Sequence, residues 1–109
     1  MSKQIQFTKT GSPDVLQIVD VAVPAPKAHE VQIQIHAIGL NRAEMMYREG
    51  AYVIDPVFPA TLGYEGAGVV TAIGDGVSEF AIGDKVSVIP SFMFTEYGTY
   101  GELVNMPVH

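Results

Sequence analysis

The sequence predicts a mainly β domain with one short helix, a compact barrel or sandwich. Three observations lead there. Apolar and polar residues alternate with period two through Gln4–Thr8 and Glu30–Gly39, as a half-buried strand requires. Clusters of Gly, Pro, Ser and Asp interrupt the chain at short intervals. Only one segment, about Arg42–Glu49, combines helix-forming residues with a start and a stop signal.

In order along the chain, Ile5 and Phe7 alternate with Gln4, Gln6 and Thr8 in a first strand, which ends at the turn cluster Gly11-Ser12-Pro13-Asp14. Val15 to Val21 reads as a second strand, closed by Pro24-Ala25-Pro26. Glu30 to Gly39 has the clearest pattern. Val31, Ile33, Ile35 and Ala37 share one face, and Gln32, Gln34 and His36 the other, so His36 is expected to face outward. Asn41 can cap the helix with Glu44 at the third helical position, the spacing of a capping box, and Gly50 is a natural stop. Ala51 to Thr61 has Asp55-Pro56, Pro59 and no periodicity, and is read as an ordered loop. Next comes a glycine-dense run, Leu62 to Val88. It is expected to hold a buried strand (Ala67 to Ile73), a Gly74-Asp75-Gly76 turn, a link carrying Phe80, a Gly83-Asp84 turn and a strand from Lys85 to Ile89. Pro90 to Thr99 is irregular and aromatic, and Tyr100 to Met106 reads as the last strand, for about seven short strands in all.

The 109 residues suffice for one domain, 1–109. An apolar fraction of 48% with 17% charged residues describes a globular chain. No apolar run approaches the roughly 18 residues of a membrane span, and no signal-peptide core is visible, so a cytoplasmic location and no membrane partner are expected. With a formal charge of −6 and six dispersed lysines and arginines, the chain lacks the clustered cations that nucleic-acid binding requires. There is no cysteine, which excludes disulfides and thiolate zinc sites. His29, His36 and His109 are scattered, without a helical ligand spacing, and read as surface or structural residues.

The glycines fit no phosphate loop. Gly66-Ala67-Gly68 and Gly74-Asp75-Gly76 reach Thr71 and Glu79 where a dinucleotide fingerprint needs its third glycine. Asp75 and Asp84 sit in turns that an Asp side chain stabilises. Glu65, at the start of an apolar strand, is expected to be partly buried. It is read either as a structural ion pair with Arg42 or Arg48 or as a site-lining acid. Asn41 can be a helix cap, or an amide offering a donor and an acceptor to a ligand, or both. Met45 and Met46 read as core, while Tyr47, Tyr52 and Tyr64 are either core or the wall of a cleft for a planar ligand.

Several spaced motifs then occur in a familiar order: GLNRAEMMYREGAY (39–52), Pro59, LGYEGAGVV (62–70), IGDGVSEFAIGDKV (73–86) and GTYGELVNMP (98–107). In these the whole chain resembles the N-terminal, GroES-like domain of the medium-chain dehydrogenase/reductases, related to the alcohol dehydrogenases, which implies a partly open β-barrel. Where the zinc-dependent members have a cysteine and a histidine as ligands, this chain has Asn41 and Tyr64, with the motif acid kept as Glu65. Neither side chain matches thiolate or imidazole as a zinc ligand, and no metal site is expected. The resemblance is therefore to the zinc-free quinone-oxidoreductase branch.

That branch implies an enzyme delivering hydride from NADPH or NADH to a quinone, enone or related carbonyl. The catalytic candidates lining the cleft are then Asn41, Glu44 and Tyr64, with Asn41 also on the nicotinamide side as the cofactor-binding residue. Asn41, with Tyr64 beside it, would donate hydrogen bonds to the developing oxygen charge. Met46 stands where the branch often has a tyrosine, with Tyr47 next to it. A Rossmann domain follows in the family, and no such unit lies within these 109 residues. The chain is accordingly expected to be inactive by itself, to bind no nucleotide tightly and to self-associate through exposed edges. The competing expectation is a free-standing, non-catalytic binding or assembly module of the same fold.

Overall fold

The structure, a computed structural model, describes residues 1–90 and 92–108; Ser91, in the aromatic stretch, and His109, one of the three scattered histidines, lie outside the described residues. Two antiparallel sheets form. The first, in the order β2-β1-β4, contains β1 (Ser2–Phe7), β2 (Gln17–Val21) and β4 (Ala60–Thr61). The second, in the order β6-β5-β3-β7, contains β3 (Glu30–Gly39), β5 (Glu65–Ile73), β6 (Lys85–Val88) and β7 (Leu103–Pro107). The one α-helix, α1, spans Arg42–Glu49. The sheets do not close into a full barrel. Residues 100–102 stitch them together: Ile5 N–H donates to Tyr100 O and Glu102 N–H to Lys3 O, both at 2.9 Å, while Ile35 N–H donates to Glu102 O at 2.9 Å.

The mainly β architecture with a single helix over Arg42–Glu49 agrees with the sequence reading, and the boundaries differ where local chemistry intervenes. β2 starts at Gln17, because Pro13–Val15 winds into a 3-10 turn with Pro13 at its start. β4 emerges inside the expected loop, since Ala60 and Thr61 pair with Phe7 and Gln6. β5 begins two residues early, because Glu65 and Gly66 pair with Gly39 and Ile38. β6 stops at Val88, where its pairing with β5 ends. The last strand is Leu103–Pro107, since residues 100–102 leave it for β1.

Alternation along β3 also breaks. The register on β5 slips between Ile35 and Ala37, leaving His36 as a bulge residue. His36 is exposed as expected, but the extra residue reverses the faces beyond it, and Ala37 is exposed rather than in line with Val31, Ile33 and Ile35. The Gly83-Asp84 turn follows its prediction, with the Asp84 carboxylate accepting the Ala81 N–H at 2.9 Å.

Two apolar clusters result. Val31, Ile33, Val70, Val104 and Met106 cover one face of the larger sheet. Phe7, Tyr47, Ala60, Leu62, Tyr64 and Phe94 fill the space between the smaller sheet and α1. The helix reaches this second cluster through Tyr47, whereas Met45 is exposed and Met46 only half-buried, against the expectation that the methionines form the core. The helix has only two turns and its buried positions are Glu44 and Tyr47, three apart. No helix among the described residues is long and apolar enough to cross a membrane.

Candidate functional site

Asn41 stands at the junction of β3 and α1, in extended conformation (φ −127°, ψ 148°), which is what a helix cap requires. Asn41 and Glu44 form the predicted capping box, with the Glu44 carboxylate accepting the Asn41 N–H at 3.0 Å. Gly50 stops the helix at φ 79°, where a side chain would be strained. Arg48 ties this end to the first turn, its Nε donating to Gly11 O at 3.0 Å.

Glu44 is 4% exposed. The same oxygen that accepts from Asn41 also accepts from the Tyr100 hydroxyl at 3.0 Å, and its second oxygen is buried without a hydrogen-bond partner. Burial, and then the Glu44 carboxyl, push the Tyr100 phenol well above its usual value. Tyr100 was not singled out in the sequence. Its pairing joins residues far apart in the chain, and no local pattern reports such a contact.

Replacing Glu44 tests this arrangement. Glu44→Ala strips the Tyr100 hydroxyl and the Asn41 N–H of their acceptor and is expected to cost about 2–3 kcal/mol. Glu44→Gln keeps a carbonyl for both and is expected to stay within about 1 kcal/mol of the parent. Urea unfolding measures both; equal losses would show that the acceptor role is not what matters.

Tyr64 sits at the start of the glycine-dense run, 7% exposed. Its ring stacks on Phe94 with centroids 3.9 Å apart and meets Phe92 edge-on. Its hydroxyl lies 3.0 Å from the Tyr52 hydroxyl and donates to Met93 Sδ at 3.6 Å. A phenol has one proton, and neighbours already surround this one. Burial first, then the Tyr52 hydrogen bond, raises the Tyr64 phenol strongly.

Glu65 is half-buried, as expected, but an arginine is not its partner. The Arg48 guanidinium is taken by Gly11 O and by Glu49, 3.9 Å away, and Arg42 is exposed. The Asn41 amide supplies the contact instead, with Nδ2 donating to Glu65 Oε2 at 3.3 Å. The structure thus brings together Asn41, Glu44, Glu65 and Tyr100 around the start of α1. Tyr64 belongs to the adjoining aromatic cluster, linked through Tyr52 and Phe94.

Of four surface grooves of about 280–380 Å³, Asn41, Glu44 and Tyr64 line none, and one is bordered by Ile38 and Tyr100. Exposed apolar side chains flank the Asn41 junction: Leu40 is 79% exposed, and Ile38 and Met45 are partly so. Among the described residues no group of three or more His, Cys, Asp or Glu side chains could hold a metal ion. With no cysteine in the chain, the amide of Asn41 and the stacked phenol of Tyr64 do not fit zinc.

The alcohol dehydrogenase GroES-like domain family matches residues 27–109. Quinone oxidoreductase from Rattus norvegicus is 42% identical over 87 residues, 79% of this chain and 26% of that protein. Among solved structures, the quinone oxidoreductase of Pseudomonas syringae superposes with a TM-score of 0.82 at 42% identity, covering 98% of this chain and 31% of its own. The Escherichia coli quinone oxidoreductase, solved in complex with NADPH, gives 0.81 at 33% identity, covering 96% and 31%. The chain therefore spans roughly a quarter to a third of the length of these relatives.

Proposed function

As the chain belongs to the alcohol dehydrogenase GroES-like domain family, we propose that it forms the substrate side of a zinc-independent, NAD(P)H-dependent oxidoreductase that reduces a quinone, enone or related carbonyl. The observation that carries this reading is the pair of side chains at the two positions where zinc-dependent relatives place ligands. Asn41 is an amide bound to Glu65, and Tyr64 is a phenol stacked on Phe94. Neither can hold or polarise through zinc, so orientation and hydrogen bonding are what this chain contributes.

Bound NAD(P)H would supply the hydride. The residues of this chain would then position the acceptor. The Asn41 carboxamide, at the mouth of the β3–α1 junction, donates to the acceptor's oxygen. Glu44 fixes the backbone of Asn41 from inside, and Tyr64 with Tyr52 walls the cleft from the aromatic cluster. The isolated chain holds neither zinc nor nucleotide tightly. The exposed apolar side chains around Asn41 also suit a second reading, a non-catalytic module that covers this face with another protein.

A chimera joining this chain to the remainder of the Escherichia coli relative separates the two readings. It is expected to oxidise NADPH with a quinone, with zinc far below one per chain, and Asn41→Ala is expected to lower kcat about 10²-fold. A folded chimera that binds NADPH without turnover would favour the module, and one equivalent of zinc would overturn the zinc-free reading.

A further inference from the structure

We propose that Glu65 is a positioning residue: its carboxylate fixes which way the Asn41 carboxamide points, and Gly39 makes the room for it to do so. The functional meaning of this device rests on the role proposed for Asn41, while the geometry stands independently of it.

Gly39 and Glu65 face each other in the β3–β5 ladder. A Cβ on Gly39 would collide with Glu65 Oε2, so the carboxylate lies against the backbone two residues before Asn41. From there it accepts the Asn41 Nδ2 proton. Its own backbone is pinned, because the Thr99 hydroxyl, fully buried, donates to Glu65 O at 2.8 Å. The acid therefore approaches Asn41 from a fixed start.

A carboxylate can only accept, so the amide must turn its nitrogen toward Glu65. The Glu44 backbone N–H donates to the Asn41 main-chain carbonyl at 3.1 Å, so the Glu65 carboxylate is what sets which end of the amide turns inward. The second Nδ2 proton remains for a ligand. Without Glu65 the amide could rotate and present its carbonyl where a donor is needed, as amide ends are close in shape and opposite in polarity. Glu65 acts through Asn41 and not on the substrate.

The test uses the isolated chain and needs no activity, so it can fail or succeed independently of the oxidoreductase reading. The chain contains two asparagines, Asn41 and Asn105, and Asn105 donates to Pro24 O at 3.0 Å, which makes it an internal control. In the nuclear magnetic resonance spectrum of nitrogen-labelled protein, the two Asn41 side-chain protons are expected to be widely separated, with the one bound to Glu65 downfield. Glu65→Met is expected to abolish that separation and Glu65→Gln to restore part of it, since a Gln carbonyl also accepts. Gly39→Ala should abolish it with the acid still present, which loss of a merely structural carboxylate would not explain. The Asn105 pair should stay in place throughout. An unchanged Asn41 separation in folded Glu65→Met would overturn the proposal. If that variant does not fold, an unchanged separation in Gly39→Ala overturns it instead.

Discussion

Replacing Tyr47 with alanine is expected to remove about 3–5 kcal/mol of stability, the largest single loss among the substitutions considered. Tyr47 is fully buried and is the side chain through which α1 enters the core. Its ring lies 4.8 Å from Phe94, 5.8 Å from Phe7 and 6.3 Å from Tyr52, centroid to centroid. Truncation would leave a void bounded by three rings on separate segments, which cannot all close in together. Domains of this size are stable by about 5–15 kcal/mol, so the variant would keep half or less of a typical reserve. Tyr47→Phe retains the ring and is expected to cost about 1 kcal/mol or less. Equilibrium unfolding in urea reads both values, and comparable losses in the two variants would shift the importance from ring to hydroxyl.

The second large effect is on alkaline stability. Four tyrosines hold their protons more tightly in the fold than the usual value of 10.0. Burial is the leading cause for Tyr47, Tyr64 and Tyr100. For Tyr97 it is the hydrogen bond it donates to Glu30, 2.6 Å long, that pushes it up to about 12. The unfolded chain releases these protons near pH 10 while the folded chain keeps them. Their contribution is therefore complete below pH 10 and falls as pH rises above it. Each phenol that stays protonated while its unfolded counterpart ionises lowers stability by at most about 1.4 kcal/mol per pH unit, less where solvent reaches the ring. Unfolding is expected as the pH passes from 10 toward 12, with tyrosinate absorbance rising in step with the loss of β circular dichroism. Tyr97→Phe should make the fall shallower, although it also removes a partner of Glu30. More than one equivalent of tyrosinate appearing near pH 10 with the fold intact would show that these four of the five phenols are not held.

Much of this fold is legible locally because its causes are local. The alternation at Val31 and Ile33, the Asn41–Glu44 spacing and Gly50 each act within one element, and each gives the expected structure. What the chain conceals depends on contacts across it. The bulge at His36 arises from pairing with β5, and it alone redirects Ala37. β4 exists only because Gln6 and Phe7 of β1 offer Thr61 and Ala60 an edge. At the site, residue types and cap geometry mark Asn41 and Glu44, while for Glu65, the acid that touches Asn41, the sequence offers either an ion pair with Arg42 or Arg48 or a site-lining role, and the ion pair does not form. Opposite charge is the better general guess, and it fails here because Gly39 opens a space for the Glu65 carboxylate within reach of the Asn41 amide. Tyr100 was invisible for the same reason, its acceptor lying 56 residues away.

The stitch at residues 100–102 has a consequence for how the molecule comes into being. Lys3 N–H donates to the Glu102 carboxylate at 2.7 Å across a separation of 99 residues, alongside the backbone bonds of the same seam. During synthesis the first sheet therefore waits, one edge unsatisfied, until residues 100–102 leave the ribosome. Closing so wide a loop carries an entropic cost that nearer contacts must first offset, and topologies of this kind fold slowly. The nascent chain is exposed over that interval, with Lys3 to Ile5 at the open edge, and this is the stage at which chaperone capture or mispairing would act.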